Sequence, residues 1–272
     1  MTQPLVLSLF PGIGLLDMAF ELEGFCVVRG PDVLWGGDIR NFHPPAGKFD
    51  GVIGGPPCQM FSRLAHMVRH NGHEPKFGNL IPEFERCVGE AEPAWFLMEE
   101  VPDAPVPAVS EYEVWNCILN NRQLGEAQNR ERRFSFGAKN RTVLMIETVA
   151  LFGITSELCV TGHADAVPVA IGGSGKIKTT KYQREEPPVL ASELSKGMPP
   201  GTRKRYSGGH NGYVSRSWER ICELQGLPEG FDLPPFTVAA KCKAVGNGVP
   251  IPMGRAIAKA VKEAIGTLGD KT

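Results

Sequence analysis

The sequence predicts an α/β fold: a mostly parallel sheet with helices on both faces, plus a small irregular domain. In the first half of the 272-residue chain, short apolar runs alternate with amphipathic segments. This alternation is typical of parallel strands joined by covering helices. From about residue 151 to 212 the alternation stops, and the segment is rich in Gly, Pro, Lys and Thr. These two observations predict one large domain and a second, smaller one.

The individual elements follow from local patterns. Strands are predicted at residues 4–10, 25–29, 52–53, 94–101 and 132–137. Apolar residues at helical spacing predict helices at residues 14–24, 110–121, 216–231 and 249–266. In the second of these, Ser110 would be the cap, and one face would carry Tyr112, Trp115, Ile118 and Leu119. Residues 30–42 are too few for the usual crossover helix between two parallel strands.

The last helix links the two ends of the chain. It is amphipathic, Pro252 suits its first turn, and its apolar face must be buried, most simply on the sheet of the first half. The large domain is therefore predicted to comprise residues 1–152 and 241–272. The small domain is predicted to comprise residues 153–240.

Composition narrows the functional classes. The formal net charge of −1 excludes a protein that coats nucleic acid without selectivity, so any nucleic-acid contact would be a local patch. The seven cysteines form no C-x-x-C pair. They indicate free thiols in a reducing compartment rather than a disulfide framework or a zinc site, and no metal is expected. We see no signal peptide and no apolar run long enough to span a membrane, and we expect a cytoplasmic protein.

The stretch "GGPPCQMFSRLA" is the first candidate site. Gly54 and Gly55 allow a sharp turn, and Pro56 and Pro57 stiffen the segment that leads to Cys58. The cysteine thus follows a buried strand, where α/β folds place their chemistry. Taken alone, a loop cysteine more often has no catalytic role.

The stretch "LFPGIGLLD" joins the first strand to the first helix. Its glycines, Gly12 and Gly14, would let a ligand approach the backbone closely, although a purely structural turn is an equal alternative. Asp17 stands where the dinucleotide fingerprint has its third glycine, which favours a cofactor without a pyrophosphate, such as S-adenosylmethionine. Asp32 is the nearest carboxylate for its ribose hydroxyls, and Asp38 could accept a bond from its adenine amino group.

Three later stretches add polar groups. "FLMEEVP" ends a strand with Glu99 and Glu100. Their side chains point to opposite faces, so at most one of them can face a given site. The alternative is a solvated loop in which neither has a specific role. Gln128, Arg130 and Arg132 would share one face of an extended chain, suiting a phosphate or a buried carboxylate, or else forming an exposed basic edge. The turn at Gly246, Asn247 and Gly248 could close over a cofactor or simply begin the last helix.

The order of these stretches is more specific than any one of them. The chain contains F-x-G-x-G at Phe10-Gly12-Gly14, G-P-P-C-Q-x-F-S at 55–62, F-x-x-E-x-V at Phe96-Glu99-Val101, Q-x-R-x-R at Gln128-Arg130-Arg132, L-Q-G-x-P at 224–228 and G-N-x-V at Gly246-Asn247-Val249. This order closely resembles the cytosine-C5 DNA methyltransferase family over nearly the whole chain. The resemblance implies a class I, Rossmann-like methyltransferase fold and S-adenosylmethionine as cofactor.

The resemblance also implies site residues. Cys58 would be the nucleophile, Glu99 its acid partner, and Arg132 and Arg130 would support the active site. The cofactor would be bound by Phe10, Pro11, Gly12, Ile13, Gly14, Asp32, Asp38, Ile39, Pro57, Asn247, Gly248 and Val249. Substrate contacts are assigned to Gln59, Ser62, Gln128, Lys176, Lys178, Arg203 and Arg205, the last four within a basic target-recognition segment that can contact phosphates. The expected substrate is a flipped cytosine in a short duplex DNA target.

Three departures from the family pattern have consequences. Glu100 replaces the Asn that the family normally has after the catalytic Glu, which exchanges an amide donor for an acid. The acid after the second strand is hard to place, which predicts weaker cofactor binding. The recognition segment is short, which predicts a short target sequence.

Several alternatives remain open at this point. The chain could methylate cytosine in tRNA, because a branch of the family shares the motif order. It could also be a catalytically weak DNA-binding relative, or Cys58 could serve a redox role. For the enzyme we expect a monomer with no membrane contact, bacterial or phage-encoded, with a cognate restriction endonuclease as a candidate partner.

Overall fold

The computed structural model describes residues 3–57, 60–61, 78–126, 128–149 and 218–269. The chain divides into two compact units. Unit 1 comprises Met1–Asn120, Glu131–Glu147 and Ile251–Thr272, and unit 2 comprises Asn121–Arg130 and Thr148–Pro250. Within the described ranges, no helix is long and apolar enough to cross a membrane.

The strands of unit 1 are β1 (Leu5–Leu9), β2 (Cys26–Arg29), β3 (Gly51–Gly54), β4 (Trp95–Glu100), β5 (Glu113–Asn120) and β6 (Glu131–Ala138). Its helices are α1 (Leu15–Leu22), α2 (Ile81–Ala91) and α5 (Ile251–Gly269). Unit 2 contains α3 (Trp218–Leu224) and α4 (Val238–Asn247). These bounds cover the described residues.

The described strands form one sheet in the order β2-β1-β3-β4-β6-β5. The first four strands are parallel to one another, whereas β6 runs antiparallel to both β4 and β5. The predicted mostly parallel α/β sheet is therefore confirmed. The carboxyl ends of β1, β3 and β4 meet at one edge of the sheet, which is where open α/β sheets bind ligands.

One face of the sheet is covered by α1 and α5. Trp95 of β4 is 1% exposed, and its ring stacks at centroid distances of 6.4 Å on Phe20 and 6.1 Å on Phe136. Helix α5 packs against α1. Its predicted apolar face is buried, namely Met253, Ile257, Ala260, Val261 and Ala264. Each large apolar side chain buried in this way contributes about 1.5–3 kcal/mol, so the end of the chain is part of the core of unit 1.

The opposite face is covered by α2. Phe84 meets Phe96 of β4 edge to face at a centroid distance of 5.8 Å. Phe84, Cys87, Val88 and Ala91 recur at helical spacing and are all completely buried. This periodicity could have predicted α2, which the sequence interpretation left out. Helices on both faces complete the predicted layer order.

The predicted helix at residues 110–121 is wrong. Residues Glu113 to Asn120 form strand β5, paired with β6 from Glu113 opposite Ala138 to Asn120 opposite Glu131. The helical spacing of the apolar residues is coincidental, since Ile118 is 49% exposed. Pairing with a strand further along the chain decides the conformation, and no local pattern reports such pairing.

Unit 2 has its own polar core. Helix α4 begins at the cap Thr237, whose Oγ1 accepts the N–H of Ala240 at 3.3 Å. At its other end, the Gln225 amide donates to the carbonyl of Val245. Arg130 donates from its two terminal nitrogens to the carbonyls of Gly246 at 2.8 Å and of Asn247 at 3.0 Å. These bonds occupy helix-end carbonyls, which have no partner inside the helix.

Candidate active site

An ion pair lies at the carboxyl end of β4. The Oε1 of Glu99 is 2.7 Å from the Nε of Arg132 on the neighbouring strand β6, and the two side chains are 13% and 15% exposed. The antiparallel register places Phe134 opposite Glu99, and Arg132, two residues before Phe134, lies on the same face of the sheet. The pairing of β4 with β6 thus brings together two residues that the motif order predicted for one site.

The segment that leads to Cys58 leaves the sheet beside this ion pair. Strand β3, the parallel neighbour of β4, ends at Gly54. A Cβ atom on the next residue, Gly55, would lie 3.0 Å from Oε2 of Glu99. A side chain at position 55 would therefore push against the carboxylate. Cys58 itself lies outside the described residues, as do the predicted substrate residues Gln59 and Ser62.

A glycine loop lies between β1 and α1. Gly12 and Gly14 have φ angles of +57° and +81°, and Phe10 also has a positive φ of 55°. The Gly14 N–H donates to the carbonyl of Pro11 at 2.8 Å, and α1 begins at the next residue. No atom of the described residues lies within 4 Å of a Cβ atom placed on Gly12. The loop therefore presents open backbone at the carboxyl edge of the sheet, with the remaining predicted loop residue, Ile13, between the two glycines.

Asp32 and Trp35 hold the glycine loop from the other side. The carboxylate of Asp32 accepts the N–H of Gly12 at 2.9 Å and that of Leu34 at 2.7 Å. The Trp35 indole donates to the carbonyl of Gly12 at 2.7 Å, yet the residue is 60% exposed. The sequence interpretation missed Trp35, although an aromatic residue three positions after a candidate acid was a usable signal.

A buried carboxylate supports the same loop from beneath. Asp17 of α1 is completely buried; it accepts a bond from the Ser8 hydroxyl at 2.5 Å and pairs with Nε of Arg29 at 3.0 Å. Burial raises the pKa of Asp17 above its ordinary value, while the bond from Ser8 and the charge of Arg29 oppose the rise. A Cβ atom placed on Gly14 would lie only 2.7 Å from Nη2 of Arg29. The positive φ is what favours glycine at position 14, and a side chain there would also displace the guanidinium that pairs with Asp17.

The other predicted cofactor residues of unit 1 are a turn cap, a core residue and a half-buried proline. Asp38 caps a short 3₁₀ turn by accepting the N–H of Arg40 at 3.0 Å. Ile39 is 3% exposed and belongs to the apolar core beneath α2, so its side chain is not available to a ligand. Its carbonyl accepts a bond from Arg86 of α2 at 2.8 Å. Pro57 is half-buried at the last described position before the cysteine.

The predicted residues of unit 2 have mainly helix-end and core positions. Asn247 is the last residue of α4, Gly248 is its C-cap and Val249 is 4% exposed, so the predicted turn is a helix end rather than a free loop. Arg130 is 1% exposed and holds this helix end, and its partners differ from those of Arg132. Gln128 is completely buried. The basic residues Lys176, Lys178, Arg203 and Arg205 lie outside the described residues.

Comparisons with known proteins match this architecture. Residues 35–105 match the family described as C-5 cytosine-specific DNA methylase. The Type II methyltransferase M.FnuDI of Fusobacterium nucleatum is 27% identical, with 98% of this chain and 95% of the relative covered. The Type II methyltransferase M.AquIA of Picosynechococcus is 30% identical, with 48% of this chain and 71% of the relative covered. This chain belongs to the C-5 cytosine-specific DNA methylase family.

The fold agrees with solved methyltransferases. The structure of the Entamoeba histolytica methyltransferase EhMeth matches with a TM-score of 0.57 at 11% identity, covering 97% of this chain and 99% of that one. At this identity the likeness concerns the fold alone. The class I methyltransferase architecture predicted from the sequence is therefore confirmed.

The methyl donor of C-5 cytosine DNA methylases is S-adenosylmethionine, and the glycine loop fits it. The open space over Gly12 leaves room for a ligand against the backbone. Each oxygen of Asp32 accepts one N–H bond in the structure, so each retains a lone pair for a ribose hydroxyl. The exposed ring of Trp35 offers a flat surface to an adenine.

Glu100 is unlike its neighbour Glu99. It is 2% exposed, and Oε2 accepts the N–H of Val101 at 2.9 Å. Burial, together with the charge of Glu99, raises the pKa of Glu100 to about 8. Glu99 has a guanidinium partner at 2.7 Å, whereas the described residues give the Glu100 carboxyl group only the Val101 N–H.

Proposed function

We propose that this chain is a DNA (cytosine-5-)-methyltransferase that acts on a cytosine flipped out of a short duplex target. The observation that carries the proposal is the Glu99–Arg132 ion pair beside Gly55, three residues before Cys58. It puts an acid and a fixed guanidinium next to the segment that carries the proposed nucleophile. The Cys58 thiolate would add to carbon 6 of the ring and form a transient covalent adduct.

Glu99 would make this addition possible. Carbon 5 of cytosine is a poor nucleophile until the ring gains electron density. The Glu99 carboxylate would take up a proton from solvent and share it with N3, which lowers the barrier to thiolate attack. The bond to Arg132 fixes the orientation of the Glu99 carboxyl group, so that little reorganisation is needed during the reaction. Arg132 would also hold the base itself.

The rest of the reaction needs a methyl donor and the elimination of the Cys58 thiolate from the adduct. S-adenosylmethionine, when bound, supplies the electrophilic methyl group that carbon 5 accepts. Gly12, Asp32 and Trp35 would hold its adenosyl part at the edge of the sheet. Loss of the carbon-5 proton to a base then expels the Cys58 thiolate and restores the aromatic ring.

The target base must leave the stack before this chemistry can occur. Flipping costs a few kcal/mol, which contacts elsewhere must offset. We assign those contacts to the basic segment that contains Lys176, Lys178, Arg203 and Arg205, together with Gln59 and Ser62. A segment of this length favours a short recognition sequence.

Arg130 has a supporting role in this proposal. Its two bonds to the carbonyls of Gly246 and Asn247 fix the end of α4, which precedes Gly248 and Val249. We infer that Arg130 positions this proposed cofactor-contacting turn, rather than touching the base. It is thus a positioning residue, whereas Arg132 is a catalytic residue.

Two experiments test the proposal. Bisulfite sequencing of a plasmid from cells that express the protein should show 5-methylcytosine at one short sequence motif. Methyl transfer to duplex DNA should also exceed transfer to tRNA, and the reverse preference would favour the RNA-directed alternative. An unmodified plasmid, with DNA binding retained, would favour the catalytically weak relative.

Replacing the nucleophile gives a sharper prediction. Cys58→Ser should abolish methylation and leave thermal stability unchanged, because a hydroxyl group is far less ionised than a thiol near neutral pH. Radiolabelled methyl transfer to DNA measures the loss, and circular dichroism checks the fold. Turnover in Cys58→Ser comparable to that of the wild type would refute the assigned nucleophile.

A further inference from the structure

Glu100 lies at the end of β4, one residue after the proposed acid. Successive side chains on a strand point to opposite faces, so Glu100 points away from the Glu99–Arg132 ion pair. It is 2% exposed, and one carboxyl oxygen accepts the Val101 N–H. The other oxygen, Oε1, is buried and has no hydrogen-bond partner among the residues that the structure describes.

The two arginines near Glu100 on β6 bond to other groups. Arg133 stands opposite Glu100 in the β4–β6 register, but its Nη2 donates to the carbonyl of Pro102, and its buried Nε has no hydrogen-bond partner among the described residues. Arg132 is paired with Glu99. The parallel neighbour β3 ends at Gly54, opposite Met98, and the residues that follow it, Gly55 and Pro56, carry no charge. The Glu85 carboxylate on α2 accepts the N–H of Ala108 at 2.7 Å. Glu100 thus has no counter-ion among these groups.

We propose that Glu100 is a positioning residue that works as an uncharged carboxylic acid, so that Arg132 faces the single negative charge of Glu99. The inference rests on the proposed function, because it concerns the same ion pair. Burying an ionised carboxylate here would cost much free energy, because one oxygen accepts a single N–H bond and the other has no hydrogen-bond donor beside it among the described residues. A protonated one is neutral and gains an O–H donor.

The raised pKa of Glu100 supports the uncharged form and predicts how stability depends on pH. Burial first, and then the Glu99 charge, raise the pKa of Glu100 to about 8, against the smaller lowering effects of the Val101 N–H and Arg132. Below about pH 8 the folded protein therefore holds a proton that the unfolded chain releases above its ordinary pKa of 4.5. Raising the pH from 5 to 8 should consequently destabilise the wild type relative to a variant that cannot ionise.

The first test needs no catalysis. Infrared spectra of the wild type at pH 6 should contain the C=O stretch of a protonated carboxyl group that is absent from Glu100→Gln and fades in the wild type above pH 8. Glu131→Gln, which removes an exposed acid on β6, is the matched control and should keep the band. If Glu100→Gln does not fold, Glu100→Asn supplies the neutral amide in a smaller side chain. Identical wild-type and variant spectra at pH 6 would overturn the proposal.

The second test links charge to the reaction. The methylation rate of Glu100→Gln divided by that of the wild type should be constant between pH 6 and 7. Above pH 8 this ratio should rise by up to about tenfold per pH unit, because only the wild type ionises at position 100. A ratio that stays flat to pH 10 would overturn the positioning role. Absence of methylation by the wild type would instead contradict the proposed function, and the infrared result would still stand.

Discussion

Arg132 and Arg130 are two residues apart in the sequence but serve different partners. Arg132 pairs with a carboxylate at the end of β4, with about an eighth of each side chain exposed. Arg130 is completely buried in unit 2, where it donates to two carbonyls at the end of α4. One guanidinium meets a charge that can take part in proton transfer, and the other meets neutral dipoles that have no other helical partner.

This difference shows that the two arginines of one Q-x-R-x-R motif can meet separate requirements, one for the site and one for the stability of a helix end. A charge-assisted bond to a carboxylate orients a reactive group, whereas two bonds to backbone carbonyls fix a helix end. Substitution of the first arginine should therefore change activity, and substitution of the second should change stability.

Arg132→Ala should lower the methylation rate by about 10²–10³-fold, because it removes a fixed donor from the proposed reacting carboxylate. Its melting temperature should change little, since the pair lies at the edge of the sheet. Radiolabelled methyl transfer and circular dichroism measure the two quantities. Glu131→Ala, an exposed change on the same strand, is the control. A large drop in stability with the rate preserved would make Arg132 a structural residue.

Arg130→Ala should destabilise unit 2 by about 3 kcal/mol, because the carbonyls of Gly246 and Asn247 lose their donors inside the protein. Urea unfolding followed by circular dichroism measures the change. Gln225→Ala removes one donor from the neighbouring carbonyl of Val245 and should cost about 1 kcal/mol. Unchanged stability of Arg130→Ala, together with lost activity, would move Arg130 into the catalytic set.

Thr237→Ala should cost about 1 kcal/mol, since it removes the side-chain cap at the other end of α4. Thr237→Ser keeps the hydroxyl and should retain most of the stability. The same urea titrations provide the values. A loss for Thr237→Ala larger than that for Arg130→Ala would mean that the start of α4, and not its end, limits the stability of this helix.

Much of unit 1 was predictable because local patterns specify it. The apolar runs of β1 to β4 and the buried stripe of α5 appear directly in the sequence, as does the absence of a crossover helix between β2 and β3. The strand β5 was not predictable, because residues 113–120 acquire their conformation by pairing with β6 further along the chain. Helix α4 was missed because its end, at Gly246 and Asn247, resembles a turn.

The site was predictable in its parts and less so in its arrangement. Motif order suggested Glu99 and Arg132, and the β4–β6 register explains why they meet. The burial of Ile39 and the position of Arg130 at a helix end depend on tertiary packing, which spacing alone does not report. The proposed neutral state of Glu100 likewise depends on its burial, and on the lack of a counter-ion among the described residues, neither of which its position in the sequence reports.

The most direct test of the account is covalent trapping on duplex DNA that carries 5-fluorocytosine at the methylated position, in the presence of S-adenosylmethionine. Fluorine blocks the final elimination, so the wild type should form a denaturant-stable complex whose cross-linked peptide contains Cys58, and Cys58→Ser should form none. A wild-type protein that methylates ordinary DNA but gives no such complex, or one cross-linked through another residue, would contradict the account.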